Sequence, residues 1–215
     1  MRRLWYLIVL QLAKFAYTVL GGFRSQNRNL VPRSGPVIIA PTHLSHLDPP
    51  LVACATPRQL RFMAKEELFR GALGVLIRSL GAFPVRRGEG DTESIRLAMA
   101  ALDAGETVLM FPEGTRGDGV HLGPLNKGVA MIAKRTGATV MPAAIVGTHL
   151  ALPKGTSKLR RAKLTVRFAE PLRYEDTAKG ATEKENRDLF LEELGRRLVQ
   201  VSGEAGLPLL YKEAE

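Results

Sequence analysis

The sequence predicts an α/β domain, a mixed and partly parallel sheet flanked by helices, with a membrane-associated helix at its N-terminus. Three observations predict this. Short runs of β-forming residues alternate with longer amphipathic runs, as strand–helix–strand units require. Glycine, proline or small polar residues bound most of these runs. The first 24 residues differ in composition from everything that follows.

The opening stretch, "MRRLWYLIVLQLAKFAYTVLGGFRSQNR", is apolar from Leu4 to Phe23 except for Gln11, Lys14 and Thr18. Twenty helical residues reach about 30 Å, the thickness of a bilayer core. Lys14 interrupts the run and no convincing small-x-small cleavage site follows, which argues against a signal peptide. At about 100° per residue, Arg3, Leu7, Gln11, Lys14 and Thr18 share roughly a quarter of the circumference, and the rest is almost wholly apolar. Trp5 and Tyr6 sit near one end, as interfacial aromatics do. Basic residues flank both ends, so charge gives a span no orientation. The expectation is an in-plane anchor over residues 1–24, with the folded domain at 25–215.

Within the domain, "PVIIA" (36–40) and "LRFMA" (60–64) read as strands. "GALGVLIRSLG" (71–81) reads as a helix and "AFPV" (82–85) as a short strand. "DTESIRLAMAALDAG" (91–105) is a helix that Asp91 or Thr92 caps, with Ile95, Leu97, Ala98 and Leu102 inward and Gly105 closing it. "TVLMF" (107–111) is the clearest buried strand. A helix at 127–137, strands at 139–147 and 163–168, and a charged amphipathic helix from Thr182 to about Val201 complete the pattern.

Hydrophobic residues at 45% and charged residues at 24% fit a packed globular chain of 215 residues. Thirty-one basic against 21 acidic side chains give a net charge of +10, which favours anionic partners. Aromatics are only 6%, and no helix-turn-helix or zinc-finger spacing occurs, so nucleic acid is not expected among them. The single cysteine, Cys54, has no internal disulfide partner and reads as a packed apolar residue.

Two polar loops follow strands, where α/β sheets collect their chemistry. "APTHLSHLDPP" (40–50) holds His43, His46 and Asp48. "FPEGTRGDG" (111–119) presents Glu113, Thr115 and Arg116 around Gly114, whose missing side chain permits a tight turn. A surface Glu113–Arg116 ion pair is the plainest reading of the second loop. The first has two chemical readings. His43, His46 and Asp48 are a possible ligand set, which would make the protein a metal-dependent phosphoester or lipid hydrolase. Alternatively His43 is a general base and Asp48 the carboxylate that fixes its tautomer. A five-residue offset places side chains roughly 140° apart on a helix, so the pair meets only if the backbone turns, and Pro49 favours a turn. No Gly-x-Ser-x-Gly elbow accompanies it.

His43-x-x-x-x-Asp48, followed some sixty residues later by Phe111-Pro112-Glu113-Gly114-Thr115-Arg116, resembles the glycerolipid acyltransferase family, in particular its bacterial 1-acylglycerol-3-phosphate members. "AKEELFRGALGVLIRSLGAFPVRRG" (64–88) resembles that family's second block and "VMPAAIVGT" (140–148) its fourth, while Thr42 stands where many members have asparagine. The resemblance covers about residues 30–172. It implies that His43 deprotonates the free hydroxyl of lysophosphatidic acid, which attacks an acyl thioester, with Asp48 orienting the base. It implies that Lys65, Arg87, Glu113, Gly114, Thr115 and Arg116 form the acceptor-phosphate site; backbone N–H groups near Gly114 are our own candidates for steadying the oxyanion. His46 has no catalytic part on this reading. No cofactor is implied; acyl-CoA or acyl carrier protein supplies the thioester. The expected setting is membrane lipid at the cytoplasmic face of the cell membrane, and the basic stretch "PKGTSKLRRAK" (153–163) is either a headgroup contact or plain surface.

Overall fold

The computed structural model describes residues 2–85 and 92–211. In chain order it holds α1 (Arg2–Leu20), β1 (Phe23–Gln26), β2 (Val37–Pro41), α2 (Asp48–Ala55), β3 (Leu60–Lys65), α3 (Gly71–Ser79), β4 (Ala82–Val85), α4 (Thr92–Asp103) and β5 (Thr107–Leu109). The second half holds β6 (His121–Leu122), α5 (Lys127–Thr136), β7 (Thr139–Val146), α6 (Thr148–Ala151), β8 (Leu164–Phe168), α7 (Tyr174–Thr177), α8 (Glu183–Glu204) and β9 (Leu210–Tyr211). Seven strands form one sheet in the order β1-β8-β7-β2-β5-β3-β4. Every pair in it is parallel except β7–β8. The expected mixed, partly parallel sheet is present.

Side-chain alternation along the central strand builds two cores. Ile38 and Ala40 face one layer with Val108 and Val140, under α4, α5 and α8. Val37 and Ile39 face the other with Leu109, Met141 and Ile145, under α2 and α1. Both faces are therefore covered, as a parallel sheet requires. The boundaries of α5 and α8 obey local rules. Asn126 caps α5 by accepting from the Gly128 N–H, and Gly137 ends it with φ +60°. Thr182 and Glu185 form a capping box on α8.

α1 is bound to the domain along its length. The Tyr6 hydroxyl accepts from the Leu60 N–H at 3.1 Å, and Tyr17 donates to the Leu47 carbonyl at 3.1 Å. Trp5 donates to the Ser79 hydroxyl of α3 at 2.9 Å. Leu10, Ala13 and Leu20 complete an inward stripe with the two tyrosines. The opposite face leaves Leu4, Trp5, Leu7, Ile8, Leu12, Phe15 and Val19 exposed. β1 begins at Phe23, so the division expected at residue 24 falls inside a strand of the main sheet. Neither β1 nor α2 was expected. α2 starts at Asp48 itself, with Pro49 and Pro50 in its first turn, where the missing N–H groups cost nothing. Arg87 and the possible cap Asp91 lie outside the described residues.

Candidate active site

β2 and β5 are adjacent and parallel, so the loops after them emerge side by side at the carboxyl edge of the sheet. The first loop turns sharply from Thr42 to Asp48. Its closure is built on one atom: Asp48 Oδ2 accepts from the Leu44 N–H at 2.6 Å, from the Ser45 N–H at 2.8 Å and from the His43 ring at Nδ1, 2.8 Å away. Asp48 is fully buried and the His43 side chain is 13% exposed. A carboxylate can only accept here, so Nδ1 carries the proton and Nε2 keeps a free lone pair. Phe111 stacks on the imidazole with ring centroids 3.9 Å apart, fixing its plane. The turn that the sequence required between His43 and Asp48 is therefore present, and the two side chains meet.

The second loop supports the first. Glu113 is half-buried, and its two oxygens accept from the backbone N–H of His43 at 3.2 Å and of Gly123 at 3.1 Å. The Gly117 N–H donates in turn to the His43 carbonyl at 2.8 Å. Burial pushes the Glu113 carboxyl above its ordinary range, and those two N–H groups pull it back down. Glu113 forms no ion pair with Arg116, because its oxygens are committed to the backbone. Both side-chain oxygens of Glu113 thus brace backbone N–H groups. Gly114 adopts φ +66°, and its N–H closes the turn onto the Phe111 carbonyl at 3.0 Å. Gly114 and Thr115 sit exposed at the loop tip.

Lys65 ends β3, the strand next to β5, and Arg116 follows the tip. Both act on His46: partial burial lowers its pKa first, and the positive charges of Arg116, His43 and Lys65 lower it further. Lys65 and Arg116 therefore lie on the same edge of the sheet as the dyad. Among the described residues neither Lys65 nor Arg116 is paired with a carboxylate. Lys154, from the basic stretch, donates to the Arg116 carbonyl at 3.3 Å, so that stretch reaches the site loop. Ser45 donates to the Leu152 carbonyl at 2.9 Å, and the Ile145 N–H donates to the Thr42 hydroxyl at 3.1 Å. These cross-strand ties hold the dyad loop against β7 and the turn after it.

Four functional or supporting side chains escaped sequence reasoning in their roles: Phe111 as a stacking plate, Glu113 as a backbone brace, and Ser45 and Thr42 as anchors. Only Phe111 and Glu113 carried a signal, as parts of the "FPEGTR" run. Neither of the remaining histidines is hydrogen-bonded to the dyad among the described residues, though the Asp48 charge acts on His149, whose pKa burial lowers. His121 pairs with Asp118 on the surface, with Nδ1 3.0 Å from Oδ2, and His149 lies half-buried on α6. No group of three or more His, Cys, Asp or Glu side chains with metal-binding geometry occurs among the described residues. Cys54 is buried and its thiol is pushed up to about 11 by that burial, as an inert packed side chain should be.

The geometry can be set beside known proteins. The family model described as Acyltransferase matches residues 22–146, more than half of the chain. The 1-acyl-sn-glycerol-3-phosphate acyltransferase of Bacillus subtilis is 30% identical over 191 residues, covering 87% of this chain and 92% of that one. The lyso-ornithine lipid O-acyltransferase of Pseudomonas aeruginosa is 34% identical over 112 residues, 51% of this chain and 43% of that one. The chain spans only 38% of the length of a chloroplastic relative from Brassica napus, 1-acyl-sn-glycerol-3-phosphate acyltransferase BAT2. Among solved structures, the 1-acyl-sn-glycerophosphate (LPA) acyltransferase PlsC of Thermotoga maritima superposes with a TM-score of 0.74 at 27% identity, covering 93% of this chain and 81% of that one. With a His–Asp dyad at the carboxyl edge of a largely parallel sheet, a family-model match over residues 22–146 and the PlsC fold over 93% of its length, the chain belongs to the acyltransferase family.

Proposed function

We propose that the protein transfers a fatty acyl group from an acyl thioester to the sn-2 hydroxyl of lysophosphatidic acid, forming phosphatidic acid in phospholipid synthesis. One observation carries this reading: a braced histidine with a free Nε2 stands on the same edge of the sheet as Lys65 and Arg116, which no carboxylate among the described residues neutralises. Nε2 takes the hydroxyl proton as the oxygen attacks the thioester carbonyl. The new C–O bond forms, the C–S bond breaks, and the imidazolium returns its proton to the departing thiolate. Asp48 stabilises that imidazolium in a buried setting, where charge pairing counts for more than in water. Arg116 and Lys65, together with Arg87 and the loop tip at Gly114 and Thr115, hold the acceptor phosphate. Arginine and lysine suit that task through charge-assisted contacts. Glu113 acts one step back, by fixing the His43 backbone. Coenzyme A and acyl carrier protein both suit a chain of charge +10 as the donor.

The substrate lives in a membrane, and α1 supplies the contact. Both ends of this helix are hydrogen-bonded to the domain, so it lies along the protein instead of leaving it. Its exposed apolar face opposes the inward tyrosine stripe and is available to lipid on one leaflet. Its window of 18 residues from Arg3 to Leu20 has mean hydropathy 1.2, long and apolar enough to cross a membrane by composition alone. We place it in the plane of the cytoplasmic leaflet, where thioester donors are found. The test is purified protein with labelled acyl-CoA or acyl carrier protein and a panel of lysolipids, with products identified by mass. Phosphatidic acid should dominate. A free fatty acid as the sole product, or preference for lyso-ornithine lipid, would overturn the assignment. Replacing Leu12 and Phe15 by glutamate should release the protein from vesicles while leaving turnover on detergent-dispersed substrate near normal. Retained vesicle binding would remove α1 as the anchor.

A further inference from the structure

The opposite edge of the sheet carries a feature that the transfer reaction does not use. β2, β3 and β5 all start there, and a concavity of about 430 Å³ opens between their leading residues and the start of α1. Arg3, Arg33, Arg58 and Arg61 line it, with Glu106 as the one carboxylate. Arg61 pairs with that carboxylate at 3.3 Å. Arg58 is fixed by the chain, donating to the carbonyls of Pro32, Gly35 and Gly105. Arg3 and Arg33 make no ion pair among the described residues. The wall is completed by Thr107, which is 1% exposed and whose hydroxyl is buried without a hydrogen-bond partner. Four guanidinium groups against one carboxylate leave about three positive charges around one concavity.

We infer that this concavity is a second anion site, built for a phosphate group and separate from the acceptor site. Strand rise places it roughly 15 Å from the dyad, at the far end of the same strands. Arg58 is held rigid and frames the site, whereas Arg3, Arg33 and Arg61 supply adjustable donors. Guanidinium forks match phosphate oxygens in pairs. The phosphate has two possible sources, an anionic phospholipid headgroup or a soluble phosphate. Arg3 belongs to α1, so on the membrane reading given above the concavity opens at the headgroup level and a lipid can fill it.

The experiment compares the wild type with Arg33→Gln/Arg61→Gln, with Glu106→Gln, and with Lys127→Gln/Arg135→Gln as a charge-matched control on the other layer. Calorimetric titration with inorganic phosphate, without membranes, tests the site apart from any reading of α1. Binding should weaken by about tenfold in the arginine pair, tighten in Glu106→Gln and stay unchanged in the control. Flotation with phosphatidylcholine vesicles, with and without phosphatidylglycerol, then identifies the source. If the arginine pair also loses the gain that phosphatidylglycerol confers, the ligand is a headgroup; if only phosphate binding falls, it is a soluble anion. Turnover on dispersed substrate should be unaffected throughout. Phosphate binding equal in the arginine pair and in the control would overturn the site.

Discussion

The two halves of the active site are built on opposite plans. The dyad half is closed: Asp48 is buried, its ring partner is stacked, and the His43 backbone is held on both sides by the second loop. The cationic half is open: Lys65 is exposed, Arg116 is half-buried, and neither is neutralised by a carboxylate among the described residues. On the mechanism we propose, the difference follows from what each half must do. Proton transfer needs heavy atoms within hydrogen-bond reach in a narrow geometry, so freedom there costs rate. Gripping a phosphate needs charge more than angle, and long unpaired side chains can close on it as it arrives. Errors in the first half should therefore appear in turnover, and errors in the second in the choice of acceptor.

The largest effect should come from His43→Ala. Loss of the base should lower kcat by about 10²–10⁴, with the fold intact and acceptor KM little changed. Steady-state kinetics with circular dichroism as the folding check decides it, and undiminished kcat would end the general-base mechanism. Asp48→Asn should come next. It removes the charge behind the imidazolium and buries an amide NH2, costing stability of about 1–3 kcal/mol besides rate. Thermal melts should show the loss, whereas His43→Ala should melt near the wild type.

Glu113→Gln sharpens the boundary between the halves. As a backbone brace it should lower kcat by about tenfold and lower Tm, while acceptor KM holds steady. A selective rise in KM for lysophosphatidic acid would instead place Glu113 in the phosphate site. Arg116→Ala and Lys65→Ala should show the reverse signature. Each should lose about 1.5–3 kcal/mol in kcat/KM for lysophosphatidic acid, and little for an uncharged monoacylglycerol. Equal losses on both acceptors would make these cations structural. The smallest effect belongs to His46→Gln. Its folded pKa lies below the ordinary value, so the unfolded chain binds the proton more readily, and the resulting stability loss sets in as pH falls below about 6.5. Glutamine should remove that loss, slightly flattening acid denaturation, and leave activity near normal.

Much of this was legible in the chain. The strands at 37–41, 60–65 and 139–146 follow from β-rich runs between turn signals, and the α8 capping box follows from Thr182 and Glu185. The pairing of His43 with Asp48 was readable because Pro49 and Pro50 fit a helix only in its first turn, so no regular helix could run through residues 43–48 and part them. β1 was hidden because "FRSQ" has neither an apolar run nor clean alternation, and it is a strand only because β8 lies beside it. Glu113 misled for a related reason. A carboxylate next to Gly114 and Arg116 looks like a surface ion pair, and only the fold brings the His43 N–H, 70 residues distant, within its reach. Bonds of that range leave no period in a sequence. The far-edge arginines were equally silent, being scattered from residue 3 to residue 61.

The single oxygen of Asp48 that gathers the Leu44, Ser45 and His43 donors has a consequence for anyone wishing to disarm or redesign the enzyme. Folding and reactivity meet at one atom, so no substitution at Asp48 separates them. Glutamate, with its charge intact but one methylene longer, would overshoot the nest and forfeit both. An inactive but native-like protein, for trapping substrates or for soaking crystals, has to be made at His43. A search for sturdier variants should leave residues 43–48 untouched and look for its gains in the helical layers.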